Sequence, residues 1–252
     1  MLSSDQEASG VAQIWRIYAH ELENHQQQLD LFDERVHLLF RVLRKKTGDA
    51  IEILNGRGLR AQSSIAMISS KKATLTITRI QEEKAPMPRV DVYPAMISFE
   101  AMSWMVEKLT ELGVSTIGFF RADRSKVLLR DNKLEKLQRI AIEAIRQCGQ
   151  AHLPKIHCYS SLAHAMESAD QQKIFFLDEM GTRNFSCLFS MDPHVTFGYV
   201  VGPEASLSLE EKKLLKDKQM EGLRLTNSVL RAETASITAL AALRAAFYQN
   251  AP

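Results

Sequence analysis

What most constrains this chain is a change of hydrophobic period across Glu82-Glu83-Lys84-Ala85-Pro86-Met87-Pro88. Upstream, short segments rich in β-branched residues alternate inward and outward. They run Ala50 to Leu54, Ser64 to Ile68 and Thr74 to Ile80, with Asn55-Gly56-Arg57-Gly58 as a hairpin signal between the first two. Closely spaced short strands of this kind predict a small β-barrel. Downstream, apolar runs of strand length alternate with amphipathic stretches of helix length, which predicts a mostly parallel sheet covered by helices. A charged, proline-punctuated segment between two such patterns is a linker. The expected organisation is therefore residues 13–81 as a barrel, 82–88 as linker and 89–250 as an α/β domain, preceded by a polar, mobile segment at 1–12.

Within the second part, Val90 to Ile97, Lys173 to Leu177 and Val195 to Val201 are expected as buried strands. Glu100 to Leu112 places Met102, Met105, Val106 and Leu109 on one helical face and stops at Gly113. Asp131 or Asn132 is expected to cap a second helix that carries Leu134, Leu137, Ala141 and Ile145 inward. The run ending at Val201 meets Gly202-Pro203, a sharp turn, and Ser208 with Glu211 forms a capping box that opens a further helix. A loop between a buried strand and a helix start presents free N–H groups, which suits a small polar ligand. The last helix, Ala232 to Phe247, spaces Ala235, Ala239, Ala242 and Ala246 for close packing, in the core or across a dimer.

Hydrophobic residues make up 45% of the 252, enough for a substantial core. Lys and Arg number 32 against 30 Asp and Glu, so any nucleic-acid surface must come from local clustering. Arg35, Arg41, Arg44, Lys45 and Lys46 form one basic run beside His37. Between Arg121 and Arg146 a second run adds Arg124, Lys126, Arg130, Lys133, Lys136 and Arg139 among four acidic residues. Cys148, Cys158 and Cys187 form no C-x-x-C pair, as expected of a cytoplasmic protein without disulfides. Cys148, His152, His157 and Cys158 match no common zinc spacing, so no metal is expected. No apolar run approaches the ~18 residues of a membrane span, and no signal peptide opens the chain.

Several separated motifs add a resemblance. Arg16-Ile17-Tyr18, His37-x-x-x-Arg41-Val42-Leu43-Arg44, Gly48-Asp49 and Asn55-Gly56 occur in order in the first part. Glu107-Lys108-Leu109-Thr110-Glu111-Leu112-Gly113-Val114, Arg124-Ser125, Gln147-Cys148-Gly149, Gly202-Pro203-Glu204 and Leu230-Arg231-Ala232-Glu233-Thr234-Ala235 follow. Together they resemble the RsmE-type SPOUT methyltransferases, which methylate N3 of a uridine in small-subunit (16S) ribosomal RNA. The resemblance implies an N-terminal PUA-like barrel, then an α/β domain whose C-terminal part forms a trefoil knot, working as a homodimer on 16S RNA or the small subunit. It implies S-adenosylmethionine against three loops, with Leu177, Glu179 and Gly181 from the first, Val201, Gly202 and Pro203 from the second, and Leu225, Val229 and Leu230 from the third. By the same resemblance Arg16, His37, Arg41, Arg44, Lys108 and Arg124 face RNA.

Methylating N3 requires an aligned methyl donor, removal of the N3 proton and stabilisation of charge spreading onto O2 and O4. A fixed guanidinium suits the last task, and Arg231 is the first candidate; its alternative is a salt bridge to Glu204 or Glu233. Glu204 either accepts a proton or binds loop amides. Glu233, in the first turn of the last helix, fits the helix dipole. The chain departs from the family at Ala205, Ser206, Thr226, Ser228 and Ala232, where glycine, arginine or threonine is usual. If Thr226 takes a positive φ in a glycine's place, the loop is strained. These departures motivate a second reading, a non-catalytic RNA-binding protein of the same fold with a role in ribosome assembly.

Overall fold

The computed structural model describes residues 14–125, 131–192 and 194–248. The N-terminal segment 1–12, and Lys126 and Arg130 of the second basic run, lie outside the described residues. The chain divides into two units, Met1–Asn55 with Leu59–Glu82, and Gly56–Gly58 with Glu83–Pro252.

In the first unit, strands β1 (Arg16–Tyr18), β2 (Gln28–Leu31), β3 (Ala50–Leu54), β4 (Leu59–Ile68) and β5 (Ala73–Glu82) form one sheet in the order β1-β3-β4-β5-β2. Only β1 and β3 run parallel. Alternation drives the pairing: Leu29 and Leu31 of β2 face inward while Gln28 and Asp30 face out. Ile17, Ile51, Ile53, Ile65 and Leu75 fill the core with Val36 and Leu39 from the short helix α1 (Glu34–His37) and the π-helical turn Leu38–Val42 after it. Asp33 caps α1 by accepting from the Arg35 N–H at 2.9 Å. β4 starts five residues earlier than the sequence pattern suggests, because Leu59 and Ala61 continue its buried face across from β5.

Among the described residues the second unit holds seven strands, all parallel, in the order β10-β12-β9-β11-β6-β7-β8. These are β6 (Val90–Pro94), β7 (Thr116–Phe120), β8 (Lys155–Tyr159), β9 (Lys173–Leu177), β10 (Arg183–Asn184), β11 (Phe197–Val201) and β12 (Glu221–Arg224). Both faces are covered, so β6, β7 and β11 are buried at every position. On one face Val92, Phe119, Tyr199 and Val201 pack with helices α2 (Phe99–Glu111), α3 (Asp131–Cys148) and α6 (Ala232–Tyr248). On the other Tyr93, Phe120, Phe176 and Val200 pack with α4 (Leu162–Glu167) and α5 (Leu209–Asp217).

Local signals explain the helix ends. Ser98 caps α2, and Gly113 follows it at φ +72°. The box expected at Ser208 and Glu211 is complete: each side chain accepts the other's backbone N–H, at 3.0 and 2.8 Å. Helix α3 already contains Asp131 and Asn132, the two residues expected to cap it. Ala239 of α6 is fully buried and Ala235, Ala242 and Ala246 pack against the same core. Arg244, also on α6, donates to the carbonyls of Leu112 (3.0 Å), Pro88 (2.6 Å) and Gly113 (2.5 Å), and burial brings its pKa down to about 10. Among the described residues no helix is long and apolar enough to cross a membrane.

Candidate active site

In a parallel sheet every strand ends at the same edge, and ligands gather beyond the carboxyl ends. β9 lies between β11 and β12, so the segments leaving these three strands meet. They enclose a cavity of about 350 Å³ lined by Leu177, Asp178 and Glu179 after β9, by Val201 to Glu204 with Ser206 and Leu207 after β11, and by Arg224 to Thr226 and Ser228 to Leu230 after β12. Ala232 and Ala235 of α6 and Lys212 of α5 complete the wall. Eight of the nine expected cofactor residues line it: Leu177, Glu179, Val201, Gly202, Pro203, Leu225, Val229 and Leu230. Gly181 does not. A Cβ there would lie 2.8 Å from the Gly222 carbonyl oxygen and 2.9 Å from the Arg224 nitrogen, so its small size lets the chain pass against β12.

The cavity is braced from several elements. Lys212 Nζ lies 3.1 Å from Asp178 Oδ1, and the same oxygen accepts the Met180 N–H at 3.2 Å. The Ser208 hydroxyl donates to Asp123 Oδ2 at 2.6 Å, and Glu211 Oε1 accepts the Asp123 N–H at 3.1 Å. Arg124 donates from Nη1 to the Ala205 carbonyl at 2.8 Å, fixing the turn after Glu204. That turn closes with Ser206 N–H on the Pro203 carbonyl at 2.9 Å, and Ser206 takes φ +58°. The left-handed residue is therefore Ser206, where the resembling family has glycine, while Thr226 has no positive φ; its hydroxyl instead donates to the Ser228 carbonyl at 2.8 Å.

Arg231 and Glu204 are both exposed. Glu204 lines the cavity, whereas Arg231 lies between two lining residues, Leu230 and Ala232, without lining it. Among the described residues neither they nor Glu233 makes a side-chain hydrogen bond or ion pair, so the bracing salt bridge considered for Arg231, and the loop-amide role considered for Glu204, are absent. Asp178, Lys212 and Arg224 are lining residues that sequence reasoning did not single out. Asp178 lies inside the first expected loop and Arg224 adjoins the third, but Lys212 left no signal, since only the packing of α5 brings it to the cavity.

The six residues expected on RNA fall into two groups. Arg16 pairs with Glu52 at 2.5 Å, and Arg60 shares that carboxylate at 2.8 Å. Lys108 lies between Glu107 (2.7 Å) and Glu111 (2.8 Å), which raise its pKa, and Arg124 holds Ala205. His37, Arg41 and Arg44, which make no ion pair among the described residues, are exposed around the π-helical turn of the first unit. The Arg41 guanidinium lies 5.5 Å from the Phe40 ring, and Arg44 takes φ +50°.

A doubly covered parallel sheet with a carboxylate-bearing cavity at its carboxyl edge defines a cofactor-handling α/β domain. The family model described as an RNA methyltransferase domain matches residues 83–244, and one described as an RNA methyltransferase PUA domain matches residues 31–78. The chain belongs to this RNA methyltransferase family. It is 29% identical to the ribosomal RNA small subunit methyltransferase E of Buchnera aphidicola, over 92% of this chain and 93% of that one. It is 26% identical to the protein of the same name from Bacillus subtilis, over 83% and 87%. A methyltransferase from Legionella pneumophila, solved with SAM bound, superposes with a TM-score of 0.83 at 27% identity, over 93% of this chain and 98% of that one.

Proposed function

We propose that the chain is an S-adenosylmethionine-dependent methyltransferase acting on N3 of a uridine in small-subunit ribosomal RNA, as a cytoplasmic homodimer. The observation that carries this is the cavity at the ends of β9, β11 and β12. Its chemistry suits the cofactor. Leu177, Val201, Leu225, Val229 and Leu230 offer apolar surface to an adenine ring, and the backbone after β11 offers donors and acceptors. Glu179 and Glu204, with Asp178 paired to Lys212, supply the negative charge that a sulfonium and an ammonium favour. Relatives matched over most of their length carry the name ribosomal RNA small subunit methyltransferase E, and the Legionella neighbour holds SAM.

The bound cofactor supplies an electrophilic methyl group. This chain's part is to place the uridine against it, take up the N3 proton and balance the charge on O2 and O4. Glu204, at the cavity wall and without a side-chain partner among the described residues, accepts the proton, and Arg231, between the lining residues Leu230 and Ala232, offsets negative charge. In this reading residues 13–81 form the RNA-binding barrel, 82–88 the linker and 89–250 the methyltransferase domain. His37, Arg41 and Arg44 hold phosphates without reading sequence. The return of β12 to the far side of β9, after β11 is laid on its near side, supports a threaded C-terminal part.

Calorimetry with S-adenosylmethionine and its demethylated product separates this reading from a non-catalytic RNA-binding protein: micromolar binding is expected, and none would sink the enzymatic reading. Mass spectrometry of ribosomal RNA from cells lacking the gene tests the target, since 3-methyluridine should disappear. Sedimentation tests the dimer. Arg231→Lys keeps the charge but loses the planar fork. If Arg231 acts on the base, stability and cofactor binding persist while the single-turnover rate drops about 100-fold; full rate would remove it from the chemistry.

A further inference from the structure

A second cavity of about 400 Å³ shares Arg224, Leu225 and Thr226 with the first. We propose that it receives the target uracil, with Arg224 as a second group, besides Arg231, that holds the base's negative charge; this rests on the methyltransferase reading above. The two cavities differ in charge in the sense this reaction needs. Three carboxylates, Asp178, Glu179 and Glu204, line the first against two cations, Lys212 and the shared Arg224, whereas no carboxylate lines the second among the described residues. Its one ionised lining group is the Arg224 guanidinium, which makes no ion pair among the described residues. A cationic methyl donor on one side of residues 224–226 and an acceptor that becomes anionic on the other are each matched in sign.

The remaining lining has the chemistry of a base site. Asn184, Ser186, Asn227 and Thr238 provide amide and hydroxyl groups. Asn184 is held opposite Arg224 by the β10–β12 pairing. Phe189 offers a flat face, 39% exposed, at the end of an ordered aromatic series. Its ring meets buried Phe185 edge-on at 6.1 Å, Phe185 meets Phe175 at 5.5 Å, and Phe175 stacks on Tyr199 at 5.6 Å. The Tyr199 hydroxyl donates to the Ser236 carbonyl of α6 at 2.6 Å. A ring fixed in this way from the sheet outward is a stacking platform that any base can use. Selection comes from Arg224, a donor only. Set against O4 of uracil it meets an acceptor, whereas cytosine presents an amino donor at that position.

The step balances on this chemistry. The N3–H proton is taken up by Glu204 and passes on to solvent, and the freed pair, delocalised onto O2 and O4, is held by Arg224 together with Arg231. N3 then forms a bond to the methyl carbon as the carbon–sulfur bond breaks, its electrons neutralising the sulfonium. The products are 3-methyluridine, a thioether and one proton.

The test uses the full chain, with Phe189→Leu, Asn227→Ala, Arg224→Gln and Arg224→Lys. Uridine and cytidine monophosphate are titrated by ligand-observed magnetic resonance in the presence of the demethylated cofactor product. Single-turnover methylation of small-subunit RNA is followed against pH, and oligomeric state by sedimentation. Uridylate should bind in preference to cytidylate, and Phe189→Leu should weaken it about tenfold without changing cofactor affinity. Arg224→Gln should lower the rate about 100-fold and move its rise to higher pH, because the anion is harder to form, with partial rescue by lysine. Uridylate binding and pH profile unchanged in every variant would overturn the proposal, as would a shift of oligomeric state alone, which would assign the cavity to contact between copies of the chain. Absence of cofactor binding to the unmodified protein would instead overturn the methyltransferase reading itself.

Discussion

Gly181→Ala tests how the loop after β9 is built against β12. The added methyl would lie 2.8 Å from the Gly222 carbonyl oxygen, 2.9 Å from the Arg224 nitrogen and 3.0 Å from the Asp178 carbonyl oxygen. All three are backbone atoms, so no side chain can rotate away and one chain segment must move. Inserting a methyl into a packed site costs about 1–3 kcal/mol, and in a protein of roughly this size each kcal/mol lowers Tm by about 2–4 °C. A fall of roughly 2–12 °C is therefore expected in a scanning calorimetry comparison. The segments forced apart carry Asp178 and Arg224, both at the cavity, so cofactor affinity should fall with it, by about tenfold. Met180→Ala, at an adjacent side chain that is 79% exposed, is the control and should change stability by less than about 0.5 kcal/mol. An unchanged Tm would refute the packing argument. Unchanged Tm with lost affinity would show that Gly181 meets the cofactor directly, as the family resemblance implies.

Three further outcomes follow. Ser206→Gly should stabilise the protein by a few tenths to about 1 kcal/mol, because φ +58° disfavours a side chain there while glycine's greater unfolded-state freedom offsets part of the gain. A glycine variant less stable than the native serine in chemical denaturation would contradict this. Asp91, 1% exposed, has its carboxyl pushed above the usual range by burial, although Arg89 Nη2 lies 2.8 Å away and opposes the shift. The folded state then binds the proton more tightly than the unfolded chain, so the group's contribution is most favourable below its unfolded pKa and declines as pH rises through the folded one. The stability of the native protein relative to Asp91→Asn should therefore improve on going from pH 7 to acid; a difference independent of pH refutes it. Replacing Arg41 and Arg44 with Ala together should weaken RNA binding and flatten its salt dependence by about one unit of slope per lost phosphate contact, leaving cofactor affinity intact; an unchanged slope would assign both to folding.

The sequence by itself determined the elements whose causes are local. A capping box needs only Ser208 and Glu211 three residues apart, and both its hydrogen bonds form. β9 coincides with its apolar run because burial on both faces leaves no other use for such residues, and β3 coincides with the span its alternation marks. Strands β7, β8 and β12 were not legible. In β12 only Leu223 is fully buried, so its strand character comes from pairing with β9 and β10 rather than from pattern. The three loops of the cavity were legible through family motifs, but their meeting was not. It depends on β9 lying between β11 and β12, a long-range order that no spacing encodes. The tertiary structure alone brought Lys212 to Asp178 and set Arg224 between two cavities. It also gave Arg16, Lys108 and Arg124 internal partners, which sequence cannot supply because each carboxylate or carbonyl competes with RNA only once folding has placed it within reach. Local propensity and capping act over a few residues and are written along the chain, whereas an ion pair or a cavity wall belongs to whichever segments the sheet order sets side by side.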